Sequence, residues 1–192
     1  MRKIILASAS PRRKEILATT GLEFTVCKSN YDEDLTISKE PRALARFLSS
    51  KKAEDIVQIY SDAVIIAADT FIVYKNELFG KPSGPDDARR MLKRLSGKTH
   101  SVITGFTIID SKNHKKVSRS IETTVYFKKL TKVEINAYVR SGEPLDKAGA
   151  YAIQGRGAVF IEKIEGDFFN VVGLPVCALA ESLKKFGIQI LS

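Results

Sequence analysis

Tryptophan is absent, and the 192-residue sequence has only two histidines and two cysteines. These shortages remove whole classes of chemistry. His100 and His114 cannot furnish a Cys/His zinc site, and a Ser-His-Asp triad is nearly excluded. A catalytic metal would need oxygen ligands, which suits Mg²⁺ or Mn²⁺. Cys27 and Cys177 form no C-x-x-C pair, so they are expected as two buried thiols in a reducing, cytoplasmic setting. Long apolar runs are missing too. The longest, Ala63 to Ala68, falls far short of the roughly 18 residues a bilayer span requires, so no membrane partner is expected. Met1-Arg2-Lys3 before Ile4 to Ala7 imitates the start of a signal peptide. The apolar stretch stops at once and leads into Arg12-Arg13-Lys14, so it reads as a first strand.

Hydrophobic residues make up 44% and charged residues 28%, enough to bury a substantial core. The chain contains no repeat, low-complexity tract or linker, and it reads as a single domain over 1–192. Its net charge of +9 attracts anions without distinguishing nucleic acid, nucleotides and membrane surface. The basic residues are dispersed and no aromatic-rich RNA motif occurs, so stable nucleic-acid binding is not expected.

Patterning predicts mixed α/β. Ile4 to Ala7 suits a buried strand, and Ser10-Pro11 then caps a helix that runs to about Thr20 and closes at Gly21. A second helix fits Pro41 to about Ile59, where Leu44, Leu48 and Ile56 share one ridge and Lys52 takes its missing place. Ala63 to Ala68 reads as a buried strand ending at Asp69-Thr70. Phe71 to Tyr74 then turns at Lys75-Asn76 into Leu78-Phe79, which sets Thr70 opposite Lys81. Pro85, Asp86 and Asp87 open a helix that ends at Gly97. Thr99 to Ile109 and Lys115 to Phe127 read as a long strand pair. Thr131 and Glu134 form a capping box for a helix ending at Gly142, and Glu143 to Gly157 is irregular. A hairpin is expected to join Ala158–Ile164 to Phe168–Val172, before a last helix from Pro175 to about Phe186.

Two phosphate-loop look-alikes fail. Gly97-Lys98-Thr99 has Leu92 where a P-loop needs glycine, and Gly155-Arg156-Gly157 has Phe160 in place of the third glycine of a dinucleotide fingerprint. Ser8-Ala9-Ser10-Pro11-Arg12-Arg13 is more telling. A helix N-terminus carries about half a positive charge, so each cation in its first turn should cost a few tenths of a kcal/mol. A bound anion reverses that sign: free backbone N–H groups, the Ser8 and Ser10 hydroxyls and the guanidinium forks would cradle a phosphate. The competing reading sends these side chains to solvent or to Glu15. Asp69, at the end of an apolar strand, could serve only as a turn cap. Inward-facing Lys52 and cross-hairpin Lys81 argue otherwise, because a buried ammonium needs an anionic partner. Tyr31-Asp32-Glu33-Asp34 is an acidic cluster without EF-hand spacing. Gln154 offers an amide that matches the mixed donor and acceptor edge of uracil or thymine, or else satisfies only its own loop.

Together these motifs resemble the Maf family of nucleoside triphosphate pyrophosphatases. The likeness rests on LASASPRR at Leu6 to Arg13, AADT at Ala67 to Thr70, GKP at Gly80 to Pro82 and LSGKTHSVITG at Leu95 to Gly105. It continues in GEPLDKAGAYAIQG at Gly142 to Gly155 and NVVGLP at Asn170 to Pro175. The resemblance implies a mixed twisted sheet with flanking helices, two lobes around a central cleft as in inosine triphosphatases, and a homodimer. It implies hydrolysis of a nucleoside triphosphate to the monophosphate and pyrophosphate with a divalent metal. Asp69 becomes the proton acceptor, and Arg12, Thr70 and Gln154 the base-selecting positions, here of the dTTP/UTP kind and extending to modified pyrimidine nucleotides. On this reading Ser8, Ser10, Arg13, Lys52 and Lys81 bind the substrate and Glu33 with Asp69 holds the metal, so Asp69 stands in both roles, base and ligand, which the sequence does not separate. One alternative is 7-methyl-GTP hydrolysis, whose branch has a bulky aromatic at the Arg12 position and an acid at the Gln154 position. Another is a non-enzymatic protein that binds nucleic acid or a septum partner.

Overall fold

The computed structural model describes residues 2–32 and 38–191. Glu33 and its neighbour Asp34 lie outside the described residues. The described residues form a seven-stranded mixed sheet. Its strands are β1 (Lys3–Leu6), β2 (Thr25–Val26), β3 (Ala63–Tyr74), β4 (Glu77–Phe79), β5 (Thr99–Asp110), β6 (Lys116–Phe127) and β7 (Ile161–Glu165). The order across the sheet is β2-β1-β3-β5-β6-β7, with β4 paired to β3. β1 runs parallel to both β2 and β3, whereas β3–β4 and β6–β7 are antiparallel. Helices α1 (Pro11–Ala18), α2 (Pro41–Val57), α3 (Pro85–Leu95), α4 (Lys132–Arg140), α5 (Phe168–Val172) and α6 (Val176–Leu183) flank it. No helix among the described residues is long and apolar enough to cross a membrane.

The chain divides into two compact units, Met1–Asp69 with Thr104–Ile121 and Gly173–Ser192, and Thr70–Ile103 with Glu122–Val172. In the first, Ile5, Ile65 and Ala67 of the sheet pack with Ala53 and Ile56 of α2. The α2 ridge falls as its spacing requires: Leu44, Leu48 and Ile56 are fully buried, each contributing about 1.5–3 kcal/mol by leaving water. Gly105 of β5 permits this close packing, since a Cβ there would lie 2.1 Å from the Ala45 carbonyl oxygen of α2. In the second unit, Ala88, Leu92 and Leu95 of α3 meet Ile135, Tyr138 and Val139 of α4. The α4 capping box is formed as expected, Thr131 accepting from the Glu134 amide and Glu134 from that of Thr131.

Three sequence readings need correction. β3 does not end at Asp69-Thr70 but continues to Tyr74, so Asp69 stands inside a strand. Phe168 to Val172 is a helical turn rather than a hairpin strand, and β7 pairs with β6 instead. The cysteines are not both buried: Cys27 is half-buried and Cys177 exposed.

Candidate active site

The N-terminal motif folds back on itself. Ser10 caps α1, its hydroxyl 3.5 Å from the Arg13 amide. The hydroxyl oxygen of buried Ser8 accepts from the Ser10 amide at 3.2 Å and from Arg13 Nη1 at 3.3 Å. Arg13 Nε donates to the Gly173 carbonyl at 2.8 Å. The cation crowding a helix start is thus partly offset by a carbonyl dipole and a hydroxyl, neither of which is solvent or Glu15. No acidic side chain stands in the first turn of α1, and half-buried Arg12 shares that turn. Sequence reading missed the Gly173 carbonyl, although Gly173 lies within the Asn170–Pro175 motif.

Lys52 and Asp69 form the second element. Lys52 projects from the buried ridge of α2 and is 9% exposed; Asp69 on β3 is 4% exposed, and the Lys52 ammonium donates to its Oδ1. A buried ammonium and a buried carboxylate each carry a desolvation cost of several kcal/mol, which their attraction and further hydrogen bonds must offset. The same neutralisation lets Asp69 occupy the interior of a strand, where aspartate is otherwise disfavoured. The β1–β3 register runs from Lys3 with Ala63 to Leu6 with Ile66, so Ser8 and Asp69 both lie just past the carboxyl end of β1. That is the edge where α/β sheets place ligands.

Thr70, Lys81 and Gln154 belong to the second unit. Thr70 follows Asp69 in β3 and is half-buried. The β3–β4 turn has φ of 51° at Lys75 and 64° at Asn76, the left-handed pair of a two-residue hairpin. Its register, Ile72 with Phe79, extrapolates to Thr70 opposite Lys81, but pairing stops at Phe79 and Lys81 is an exposed loop residue. That loop is tied to the irregular segment before Gln154 by the Gly149 amide, which donates to the Gly80 carbonyl at 2.9 Å. Gln154 is itself exposed. A groove of about 630 Å³ in the second unit is lined by Arg89, Lys93, Lys98, Lys129 and Lys132, and none of the expected site residues among the described residues borders it.

No three His, Cys, Asp or Glu side chains converge to hold a metal among the described residues. Asp69 is the one expected ligand they include, and its Oδ1 already accepts from Lys52. This donor set builds no all-protein cage. It fits a hard cation that arrives with phosphate oxygens and meets one carboxylate, the usual way Mg²⁺ is bound in phosphoryl sites.

The family model described as Maf-like protein matches residues 3–186. This chain belongs to the Maf family. Among Maf relatives, the dTTP/UTP pyrophosphatase of Methanosarcina barkeri is 49% identical over 99% of this chain and 97% of its own. That of Alkaliphilus metalliredigens is 49% identical over the whole of both chains. Of solved structures, the Staphylococcus aureus Ham1 protein overlaps 66% of this chain and 72% of its own, at 8% identity and a TM-score of 0.47.

Proposed function

We propose that this Maf protein is a nucleoside triphosphate pyrophosphatase acting on dTTP and UTP, with modified pyrimidine triphosphates as further substrates. The observation that carries the chemistry is the buried Lys52–Asp69 pair, set at the same sheet edge as the Ser8, Ser10 and Arg13 cluster. The substrate class is supported by full-length relatives named for that activity.

In this reading Arg13, with the Ser8 and Ser10 hydroxyls, meets phosphate oxygens at the N-terminus of α1, where backbone dipoles favour negative charge. Lys52 and Lys81 add charge along the triphosphate. Asp69 takes a proton from the attacking water. A bond forms between that water oxygen and the α-phosphorus, and the bridge from the α- to the β-phosphate breaks. The products are the nucleoside monophosphate and pyrophosphate. Mg²⁺ or Mn²⁺ would be held by Asp69 and by the substrate's own oxygens, with Glu33 as a further ligand, and would neutralise phosphoryl charge. Arg12, Thr70 and Gln154 select the base, because an amide can both donate to and accept from a uracil or thymine edge. A guanine edge, with its two donors, would instead suit a carboxylate, which disfavours 7-methyl-GTP here. A homodimer in the cytoplasm is part of the same proposal, and mass in solution checks its stoichiometry.

The test is pyrophosphate release from dTTP, UTP and 7-methyl-GTP with Mg²⁺ or Mn²⁺. Preference for the two pyrimidine nucleotides is expected, and preference for the methylated purine would overturn the assignment. Asp69→Asn should abolish turnover with the circular dichroism spectrum unchanged. Salt-sensitive DNA binding that survives this substitution, in a protein with no triphosphate turnover, would favour the non-enzymatic alternative.

A further inference from the structure

The turn that carries Gln154 is pinned at both stems to one pair of side chains. On one side the Ala152 amide donates to the Tyr138 hydroxyl oxygen at 3.2 Å. On the other, Glu143 Oε2 accepts from the Arg156 amide at 3.1 Å and Oε1 from the Gly157 amide at 3.2 Å. The Tyr138 hydroxyl donates to Glu143 Oε1 at 3.0 Å, which joins the two halves. Ile153, Gln154 and Gly155 are the residues pinched out between the stems.

The local sequence is built around this pair. Tyr138 is buried in the last turns of α4, and Gly142, at φ 75°, turns the chain so that Glu143 opens the next 3-10 turn. Gly155 has φ +84°, which disfavours any side chain, and a Cβ there would press to 3.0 Å on Glu143 Oε1 and displace the carboxylate. A Cβ on Gly157 would meet the Tyr138 hydroxyl at 2.7 Å. Burial works against the charge of Glu143, but the Arg156 and Gly157 amides and the Tyr138 hydroxyl outweigh it and hold the carboxyl below its usual range.

We infer that Glu143, with Tyr138, is a positioning residue for base selection, holding the Gln154 turn in the one geometry from which its amide can read a pyrimidine. The inference rests on the dTTP/UTP reading and adds to it a residue that touches no substrate. An exposed amide on a three-residue turn has many rotamers and backbone states to lose on binding. Fixing both stems beforehand removes part of that entropic cost and so favours the base that Gln154 matches.

The test is Glu143→Gln. It keeps the side-chain volume but sets an amide NH₂ against one of two backbone donors. Tyr138→Phe removes only the hydroxyl. Amide exchange by NMR reads the brace directly. Ala152 should exchange faster in Tyr138→Phe, and at least one of Arg156 and Gly157 faster in Glu143→Gln. The ratio of kcat/KM for dTTP over dGTP should fall about tenfold in Glu143→Gln, mostly through KM for dTTP, while a loss of packing alone would lower both nucleotides together. In a Gln154→Ala background the same substitution should change that ratio less than about twofold, because the residue it positions is gone. Unchanged exchange at Arg156 and Gly157 overturns the brace. Faster exchange with an unchanged ratio, or full additivity with Gln154→Ala, overturns the positioning role. If the unsubstituted protein shows no pyrimidine preference, the dTTP/UTP reading fails and the selection role falls with it, whereas the brace is still decided by exchange.

Discussion

Replacing Lys52 with methionine keeps a side chain of similar reach on the buried α2 ridge and removes its charge. Asp69, 4% exposed, would then keep its carboxylate without the ammonium that neutralises it. Breaking a buried pair from one side usually destabilises by about 3 kcal/mol or more, since the remaining charge stays desolvated. Lys52→Met should therefore lower the unfolding free energy by that order, read as a downward shift of the urea midpoint, and stop turnover. Adding Asp69→Asn to it should recover part of the stability and none of the activity, because the substitution that removes the stranded charge also removes the proposed base. If the two substitutions are additive in stability, the pair is not coupled as the structure shows it. A residue that appears in the sequence as an interruption of an apolar ridge is thus the one that makes a strand-borne aspartate tolerable.

Helix α2 carries Lys52, and its seat on the sheet is set by Gly105. A methyl group there would collide with the backbone of Ala45 and Arg46, which cannot swing away as a flexible side chain would. Gly105→Ala should push α2 off β5, cost about 1–3 kcal/mol as overpacking does, and lower turnover by displacing Lys52, with denaturation and kinetics measured on the same sample. The α2 ridge, the opening of α3 at Pro85-Asp86-Asp87 and the α4 cap were legible in the sequence because periodicity and helix-start residues are local signals. The run through Asp69 was not: aspartate and threonine read as a strand end, and the distant Lys52 works against that preference. Phe168 to Val172 misled for a related reason. Its aromatic and β-branched residues favour a strand, but the Asn170 amide group donates to the Val102 carbonyl and to Thr123 Oγ1, both at 3.0 Å. The Asn170 backbone N–H is also capped by Asp167 Oδ1 at 3.2 Å. Those contacts close a helical turn, and periodicity cannot reveal partners that far away in sequence. Of the candidate site, the Ser8, Ser10 and Arg13 cluster and the Lys52–Asp69 pair were readable from residue type and spacing. The Glu143 brace was not, because a glutamate in an irregular segment gives no sign of which amides it will meet.

At the scale of the molecule, both units bring polar side chains into their cores, and only some of these are charged at neutral pH. His100 in the second unit is 3% exposed, packed edge-on against Phe127 and Tyr151, with Nε2 2.7 Å from the Tyr151 hydroxyl and, among the described residues, no hydrogen-bond partner for Nδ1. Burial lowers its pKa from 6.5 to about 4 and raises that of the Tyr151 phenol, so both stay neutral over the working range. The consequence for stability has a definite sign. Between pH 6.5 and 4 the unfolded chain binds a proton at His100 that the folded chain refuses, so stability from this residue is complete above pH 6.5 and declines as pH falls toward 4. From pH 7 to pH 5 the loss should be about 2 kcal/mol, taking one pKa unit as 1.36 kcal/mol. His100→Phe supplies another ring for the aromatic cluster and has no proton to bind. It should be less stable at pH 7, where the Tyr151 hydroxyl loses its partner, yet its urea midpoint should fall less steeply between the same two pH values. Equal slopes for the two proteins would mean that His100 is protonated in the folded state, which the apolar surroundings of its ring oppose.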